Sequence, residues 1–229
     1  MTASRAPDLS VIIPCREDAR PLARLLPQLG GRSDTEIIVA CSGSHADVRA
    51  ACELAGARCL ELDAARGSRL QAAAADALAP NLWFVHADSA LPDGAVAGVL
   101  EAFSSGAVGG YFRFRLTGPR SRGKAVIEWG VKVRSRLGGI PYGDQAVFVT
   151  KSAYFAAGGH EDVALFDEFR LLRALKREPS FQSLELAVGV DPIRWERNGY
   201  FRHVLKNRGL SIAYLFGVSP ERLARWYYD

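Results

Sequence analysis

The sequence predicts an α/β fold with a mainly parallel sheet flanked by helices, and three observations support this class. Short runs of β-branched and other apolar residues recur along the first half of the chain, each followed by a stretch with helical spacing. Most of these runs are largely apolar and do not alternate with polar residues, which is typical of strands buried on both faces. Successive strand–helix units imply a parallel sheet whose crossover connections are right-handed.

The first half of the chain contains four predicted strands and four predicted helices. The strands are predicted over Leu9–Pro14, Glu36–Ala40, Arg58–Leu62 and Leu82–His86. The first helix is predicted to begin near Pro21, because leucines recur on one face after it. The other helices are predicted over Asp47–Gly56, Ser68–Leu78, which is rich in alanine, and Asp93–Phe103.

The second half has a different pattern. Gly109–Leu116 alternates apolar and basic residues, which predicts a half-exposed strand. Lys124–Leu137 predicts a helix, Ala146–Thr150 a short strand, and 169–175 another helix. The C-terminal segment from Tyr200 mixes aromatic and basic residues, and we expect helices that pack on the domain or rest on an anionic membrane.

Length and composition fit one globular domain over residues 1–229. The chain is 48% hydrophobic and 24% charged, and its apolar runs are too short to cross a membrane. Because no apolar signal region begins the sequence, we expect a cytoplasmic protein. The segment 15–19 after the first strand has neither a dinucleotide-binding glycine pattern nor a P-loop, which disfavours those two nucleotide-binding classes.

Charge is divided unevenly between the halves. Residues 1–110 hold 9 Lys and Arg against 13 Asp and Glu, whereas residues 111–229 hold 20 against 12. A basic second half suits substrate phosphates, an anionic membrane surface or a nucleic acid. The basic residues are dispersed and no nucleic-acid motif accompanies them, so we expect no nucleic-acid partner.

The four cysteines are Cys15, Cys41, Cys52 and Cys59. They lack the close pairing of zinc and redox motifs, and we interpret them as small buried hydrophobic residues.

The end of the fourth strand is the main candidate for a functional site. Leu82–Ser89 runs from large apolar residues to His86 and Asp88, and open α/β sheets bind ligands at the carboxyl ends of their strands. A carboxylate there suits a divalent cation that holds a diphosphate. The alternative, that Asp88 only caps a turn, stays open.

Three further stretches carry candidate residues. Tyr142, Gly143, Asp144 and Gln145 form a glycine-containing loop, which suits either a binding site or a plain connection. Asp167–Glu168 opens a helix, where acidic residues are also favoured by the helix dipole. Arg194–Trp195 suits phosphate binding or packing.

In order and spacing, these stretches resemble the family 2 glycosyltransferases of GT-A fold, specifically a small soluble bacterial subgroup. The similarity covers nearly the whole chain. The matching residues are Ser10–Pro14, Gly67, Gln71, His86–Ser89, Tyr142–Gln145, Gly158–Gly159, Asp167–Glu168, Arg194–Glu196 and Gly199.

The resemblance implies an inverting transfer of a sugar from a nucleotide-diphosphate donor to an unidentified acceptor hydroxyl, with Mn²⁺ or Mg²⁺ as cofactor. It assigns the metal to Asp88, the catalytic base to Glu168 with Asp167 beside it, and diphosphate neutralisation to Arg194. Residues 142–145 would shape the donor or acceptor pocket, residues 1–110 would form the donor half and residues 111–229 the acceptor half. The other residues implied in nucleotide-sugar binding are Pro14, Arg16, Glu17, Cys41, Ser42, Gly67, Gln71, His86, Ala87 and Trp195.

The chain also departs from the family pattern. Cys41 stands where the family commonly has an Asp that binds the nucleobase, and the usual Glu–Asp order appears as Asp167–Glu168. A protein that keeps the scaffold for binding or regulation but has lost turnover is therefore the alternative. A homo-oligomer and a peripheral contact with the inner membrane surface stay open.

Overall fold

The computed structural model describes residues 6–136 and 139–228, except for the side chains of residues 194, 197, 198, 201, 203 and 228. The strands of the first half are β1 Leu9–Cys15, β2 Thr35–Cys41, β3 Arg58–Glu61 and β4 Asn81–Phe84. The helices are α1 Ala19–Leu29, α2 Ala46–Ala55, α3 Arg66–Asp76 and α4 Ala95–Ser104. Every predicted element of this half is present, with its ends moved by a few residues at most.

The second half adds three strands and six helices in the described part of the chain. The strands are β5 Gly109–Leu116, β6 Phe148–Thr150 and β7 Phe181–Val190. The helices are α5 Arg122–Arg136, α6 Lys151–Ala156, α7 Phe169–Leu175, α8 Ile193–Asn198, α9 Tyr200–Leu215 and α10 Pro220–Tyr228. A single 3₁₀ turn, Gly143–Gln145, precedes β6.

The described strands form one sheet in the order β3-β2-β1-β4-β6-β5-β7. β1 is parallel to both β2 and β4, and β2 is parallel to β3. β6 is antiparallel to its neighbours β4 and β5, whereas β7 runs parallel to β5. The chain leaves β1 toward β2 and β3 and then returns to the other side of β1 to form β4. The topological switch point therefore lies between the carboxyl ends of β1 and β4, where open α/β sheets bind ligands.

The central position of β1 in the sheet explains why its sequence is largely apolar. Val11 and Ile13 pack on one face of the sheet with α1, α2 and α4, whereas Ile12 packs on the other face with α3 and α7. All three side chains are completely buried. Because helices cover both faces, a strand here has no polar side.

The prediction that Gly109–Leu116 is a half-exposed strand is wrong, because most of β5 is buried. Its Arg113 and Arg115 are partly or fully exposed, as the alternation predicted, but Gly109, Gly110, Tyr111 and Phe112 are buried. The reason is β7, an additional strand that the sequence analysis missed, which pairs with β5 on the side away from β6. Gly110 is required by this close pairing, since a Cβ there would collide with the carbonyl oxygen of Gln182 in β7.

α9 packs on the domain, as one of the two alternatives for the C-terminal segment predicted. Its Tyr214 ring lies 5.0 Å from that of Phe166 and 4.9 Å from that of Phe169. Within the described residues, no helix combines the length and hydropathy needed to cross a bilayer.

Candidate functional site

The acidic pair Asp167–Glu168 is tied to the start of α3 by an ion pair with Arg66. Arg66 Nη1 lies 2.8 and 2.7 Å from the two carboxylate oxygens of Asp167, and 3.4 Å from Glu168 Oε2. Burial alone would raise the pKa of both acids. Arg66 offsets this only partly for Asp167, whose pKa rises to about 6, but it brings the pKa of Glu168 below its usual value. Glu168 is therefore held as a carboxylate.

Close backbone approach makes this ion pair possible. Gly67 follows Arg66, and a Cβ on Gly67 would collide with the carbonyl oxygen of Glu161. The 161–167 segment is closed on itself by a 2.7 Å hydrogen bond from the Glu161 N–H to the Asp167 carbonyl oxygen. Gly67 thus allows the first turn of α3 to lie against the acidic segment, which is a structural reason for glycine at this position.

Glu168 is oriented by a backbone amide from a distant part of the chain. The Gly143 N–H donates a 2.7 Å hydrogen bond to Glu168 Oε1. The Glu168 side chain is 18% exposed and lines a small pocket together with Pro14, Arg66, Phe84, His86 and Gly143. Since Pro14 lies in β1 and His86 directly follows the β4 region, this pocket lies at the topological switch point.

Two histidines flank the ion pair. His86 Nε2 lies 2.9 Å from Arg66 Nη2, and because arginine can only donate, Nε2 is the acceptor. His160 is buried, and its Nδ1 is 2.9 Å from the Tyr154 hydroxyl. Burial, together with the charge of Arg66, lowers the pKa of His160 to about 3, so this ring is neutral.

Asp144 lies within electrostatic reach of both Asp88 and Glu168. Burial raises its pKa to about 7, and the negative charges of Glu168 and Asp88 add to the rise while Arg134 opposes it. Asp88, which is exposed, and Glu168 are thus both close enough to Asp144 to act on its ionisation. His86, two residues before Asp88, contacts Arg66, which pairs with Glu168, so the two predicted groups of site residues belong to one region of the molecule.

Backbone strain is concentrated beside this region. In the described part of the chain, the two non-glycine residues with positive φ are Ala146, at 46°, and Phe166, at 65°. Ala146 follows the 3₁₀ turn that presents Gly143 and Asp144, and Phe166 precedes Asp167. Residues held in sparsely populated backbone conformations cluster at functional sites.

The site residues suit a divalent cation whose coordination is completed by oxygens of a bound substrate. No group of three His, Cys, Asp or Glu side chains in metal-binding geometry occurs among the described residues. Burial is the main cause of the raised pKa of Asp144, and the negative charges of Glu168 and Asp88 add to it, so a cation nearby would favour the ionised form of Asp144. A cation held by one carboxylate and by diphosphate oxygens fits this donor set.

The predicted nucleobase side lies at the carboxyl ends of β1 and β2. Arg16 and Glu17 are exposed in the loop after β1. Cys41 is 1% exposed and ends β2, and the N–H of the next residue, Ser42, donates a 3.2 Å hydrogen bond to the Cys15 carbonyl oxygen. Cys41 is therefore placed beside the expected nucleobase position with its thiol in the interior.

Some predicted site residues have clear structural roles. Gln145 is 1% exposed, donates to the Phe112 carbonyl oxygen at 3.1 Å and accepts from the Tyr142 N–H at 3.2 Å, so it anchors the 3₁₀ turn to β5. Tyr142 lies under the Arg134 guanidinium, 3.8 Å from the ring centroid. Its hydroxyl is 3.2 Å from Ser211 Oγ in α9.

The remaining predicted residues are less involved. Gln71 is half-buried in α3, and its Oε1 has no hydrogen-bond partner within the described structure. Ala87 is half-buried between His86 and Asp88. Trp195 packs near Phe114, with 6.3 Å between ring centroids, and the side chain of Arg194 lies outside the described residues.

Sequence analysis missed Arg66 and Arg134 as site residues. Arg66 begins the helix after β3 and directly precedes Gly67, so its position at a helix start near a strand end was the available signal. Arg134 lies near the end of α5, and no sequence pattern connects it with Tyr142.

Comparisons with known proteins establish the fold. No protein-family model matches the chain, and no curated protein matches it in sequence. The solved structure of S. aureus TarS residues 1–349 has a TM-score of 0.60 and 12% identity, covering 87% of this chain and 63% of that one. The chain therefore spans less than two thirds of that fragment.

Two other solved structures are similar over most of their length. The mannosyltransferase PcManGT from Pyrobaculum calidifontis, in complex with GDP-Man and Mn²⁺, has a TM-score of 0.60 and 15% identity, covering 98% of this chain and 70% of that one. Glucosyl-3-phosphoglycerate synthase from Mycobacterium tuberculosis, in complex with Mn²⁺, UDP and glucosyl-3-phosphoglycerate, has a TM-score of 0.55 and 16% identity, covering 88% and 78%. At these identities the likeness shows the fold alone, and the predicted GT-A fold, an α/β architecture with a mostly parallel central sheet, is confirmed.

Proposed function

We propose that this protein is a metal-assisted, inverting glycosyltransferase that moves a sugar from a nucleotide-diphosphate donor to an acceptor hydroxyl. The observation that carries this proposal is the convergence of Glu168, Arg66, His86 and Asp144 at the switch point, with Asp88 close by. The fold supports it, because PcManGT and glucosyl-3-phosphoglycerate synthase have been crystallised with Mn²⁺ and with a nucleotide sugar or nucleotide.

Glu168 is the proposed catalytic base. It must be ionised to take the acceptor proton, and the charge of Arg66 holds its pKa below the usual value despite burial. The Gly143 N–H fixes one carboxylate oxygen, while the side chain still faces the pocket. Asp167 is 6% exposed and held by Arg66, so we assign it to positioning Arg66 rather than to proton transfer.

Asp88 is the proposed protein ligand of Mn²⁺ or Mg²⁺, with the donor diphosphate supplying other oxygens. A bound cation would stabilise the negative charge that develops on the departing nucleotide diphosphate. Asp144 would contribute negative charge to the same region.

The donor would lie over the carboxyl ends of β1, β2 and β4. Pro14, Arg16, Glu17, Ser42 and the backbone around Cys41 would border the nucleobase and ribose, and His86 and Ala87 the diphosphate. Arg194 and Trp195 stay proposed diphosphate contacts on the evidence of the sequence resemblance.

Donor binding and turnover with two pairs of variants test the proposal. Asp88→Asn should abolish Mn²⁺-dependent donor binding, measured by calorimetry with a panel of nucleotide sugars, whereas Asp93→Asn, an exposed carboxylate nearby, should not. Glu168→Gln should keep donor binding and reduce turnover about 10²–10⁴-fold, the usual contribution of a general base. The matched control is Glu178→Gln, an exposed residue beyond the end of α7.

Two results would contradict the proposal. A donor that binds wild-type protein but is never hydrolysed or transferred would favour a binding protein that has lost turnover. Loss of turnover on Asp167→Asn but not on Glu168→Gln would exchange the roles of the two acids.

A further inference from the structure

The four cysteines, dispersed in sequence, meet at one end of the sheet. Cys15 and Cys41 are direct partners in the parallel register of β1 and β2. Cys41 Sγ lies 3.4 Å from Cys59 Sγ in β3, and Cys59 and Cys52 line the same surface depression as Arg49 and Glu61. All four are free thiols. Interpreting them as separate small hydrophobic residues therefore misses their convergence.

Cys41 and Cys59 are in direct thiol contact across two neighbouring strands. Cys41 lies opposite Glu61 in the register and Cys59 opposite Val39, so the two cysteines are diagonal neighbours on one face of the sheet. A disulfide has an S–S distance of about 2.05 Å, so closure requires an approach of about 1.4 Å from the present contact. Diagonal neighbours on adjacent strands lie about 7–8 Å apart, at the upper limit for a disulfide, so closure also requires the backbones of β2 and β3 to move closer together.

The cluster contains an accessible thiol and a buried positive charge. Cys59 is half-buried, whereas Cys15, Cys41 and Cys52 are at most 4% exposed. Arg49 lines the same depression, where its guanidinium is paired with Glu61 at 2.8 Å. On the interior side lies Arg69, itself 4% exposed, which donates to the carbonyl oxygens of Cys15 and Ala40.

The interior thiols are polarised by these contacts. A hydrogen bond from Cys41 lowers the pKa of Cys15 despite burial, and the charge of Arg69 lowers it further. The same hydrogen bond, together with burial, raises the pKa of Cys41. Cys41 is therefore a protonated thiol beside Cys59, and it must give up its proton when its sulfur attacks an oxidised Cys59.

We propose that Cys41 and Cys59 form an oxidation site that peroxides convert to a reversible disulfide. The Cys59 sulfur attacks hydrogen peroxide, the O–O bond breaks and Cys59 becomes a sulfenic acid, while the thiol proton leaves with the second oxygen as water. The Cys41 sulfur then attacks the sulfenic sulfur, the S–O bond breaks, and the Cys41 proton leaves with the oxygen as water. In total, two thiols and one peroxide give one disulfide and two waters.

The disulfide would act on the donor site, a consequence that rests on the proposed function. Cys41 is fixed by a 3.1 Å hydrogen bond from the Leu62 N–H to its carbonyl oxygen, and the next residue, Ser42, is hydrogen bonded to Cys15. Drawing Cys41 toward β3 would displace the loop at the proposed nucleobase side. Loss of one hydrogen bond of ordinary strength there corresponds to a roughly tenfold higher Kd for the donor.

Thiol counting and peptide mapping on the full chain test the oxidation site. Cleavage after arginine places each cysteine on a separate peptide, 6–16, 33–49, 50–58 and 59–66. With a small excess of hydrogen peroxide, maleimide-reactive thiols in denatured wild-type protein should fall from the four present to two. Peptides 33–49 and 59–66 should become linked, and dithiothreitol should separate them.

Two variants complete the test. Cys52→Ala, the matched control within the cluster, should form the same link, whereas Cys59→Ser should form none. A link that joins Cys15 or Cys52, a Cys59 that proceeds to sulfinic acid without a link, or four thiols that persist in wild type would each overturn the proposal.

Donor binding separates this proposal from the proposed function. Oxidised wild-type protein should bind the nucleotide sugar about tenfold more weakly than reduced protein, and peroxide-treated Cys59→Ser should bind unchanged. Equal affinity of oxidised and reduced wild type would overturn the regulatory part. If reduced wild type binds no nucleotide sugar, the proposed function fails, whereas the linked peptide still decides the oxidation site.

Discussion

Replacing Arg66 by methionine should destabilise the protein mainly through the charge it leaves behind. Arg66 binds Asp167, whose side chain is 9% exposed, and Glu168, whose side chain is 18% exposed. Methionine keeps much of the side-chain volume but removes the positive charge, so two largely buried carboxylates would face each other without a counterion.

The expected size follows from the burial of the pair. Removing one partner of a buried ion pair costs about 3–5 kcal/mol, and because the Arg66 side chain is 33% exposed, we expect about 2–3 kcal/mol at pH 7.5. The pKa of Asp167 is already raised to about 6 in the wild type and should rise further in the variant. A raised carboxyl pKa means that the folded state binds the proton more tightly, so the part of the deficit that Asp167 causes should disappear at pH 4, whereas the part due to Glu168, whose pKa Arg66 lowers, should persist in part.

Urea denaturation at pH 7.5 and pH 4, followed by circular dichroism, measures these differences. The double variant Arg66→Met with Asp167→Asn should recover part of the loss at pH 7.5, because one of the two unpaired carboxylates is gone. Arg20→Met, which breaks an exposed pair with Asp18, should leave the unfolding free energy nearly unchanged. An equal deficit at both pH values, or no recovery in the double variant, would refute the reasoning.

Two further predictions concern Asp144 and the glycine beneath the ion pair. Because the pKa of Asp144 is raised from 3.8 to about 7, stability should fall as the pH rises through this interval in metal-free buffer. Asp144→Asn should remove that dependence and raise the unfolding free energy at pH 8 by about 2 kcal/mol. This is half of the free energy that corresponds to the full pKa shift, because the residue is partly exposed. A wild-type stability that does not change between pH 4 and pH 7 would contradict the raised pKa of Asp144. Gly67→Ala should cost about 1–3 kcal/mol of unfolding free energy, because its Cβ would meet the Glu161 carbonyl oxygen. Gly130→Ala, with nothing within 4 Å of the new Cβ in α5, should stabilise by about 0.5–1 kcal/mol, and similar effects of the two substitutions would contradict the close approach of α3 to the acidic segment.

The first half of the fold was predictable because local sequence patterns identify its strands and helices. Apolar runs, helical spacing and glycine stops placed β1 to β4 and their helices, and the rule for parallel sheets then located the switch point. β7 was missed although Phe181–Val190 alternates in part, with exposed Gln182, Ser183 and Glu185 between more buried residues. That omission is also why β5 was expected to be half-exposed.

The candidate site was predictable where it depends on strand ends and not where it depends on distant partners. His86 and Asp88 follow from the end of β4, and Glu168 from the resemblance. The ion pair between Arg66 and Asp167 spans 101 positions, and the contact between Cys41 and Cys59 depends on the register of two strands. Gln145 was assigned to the pocket, but its side chain is turned to the core, which residue type alone does not reveal.

A crystal structure of the full chain with Mn²⁺ and a nucleotide sugar is the most direct measurement of the central claim, that Asp88 and Glu168 serve one donor site. We predict an anomalous manganese peak at coordination distance from the Asp88 carboxylate, with the diphosphate on the same ion and the anomeric carbon on the side of Glu168. A manganese ion bound away from Asp88, or a donor whose sugar lies away from the pocket bordered by Glu168 and His86, would contradict it.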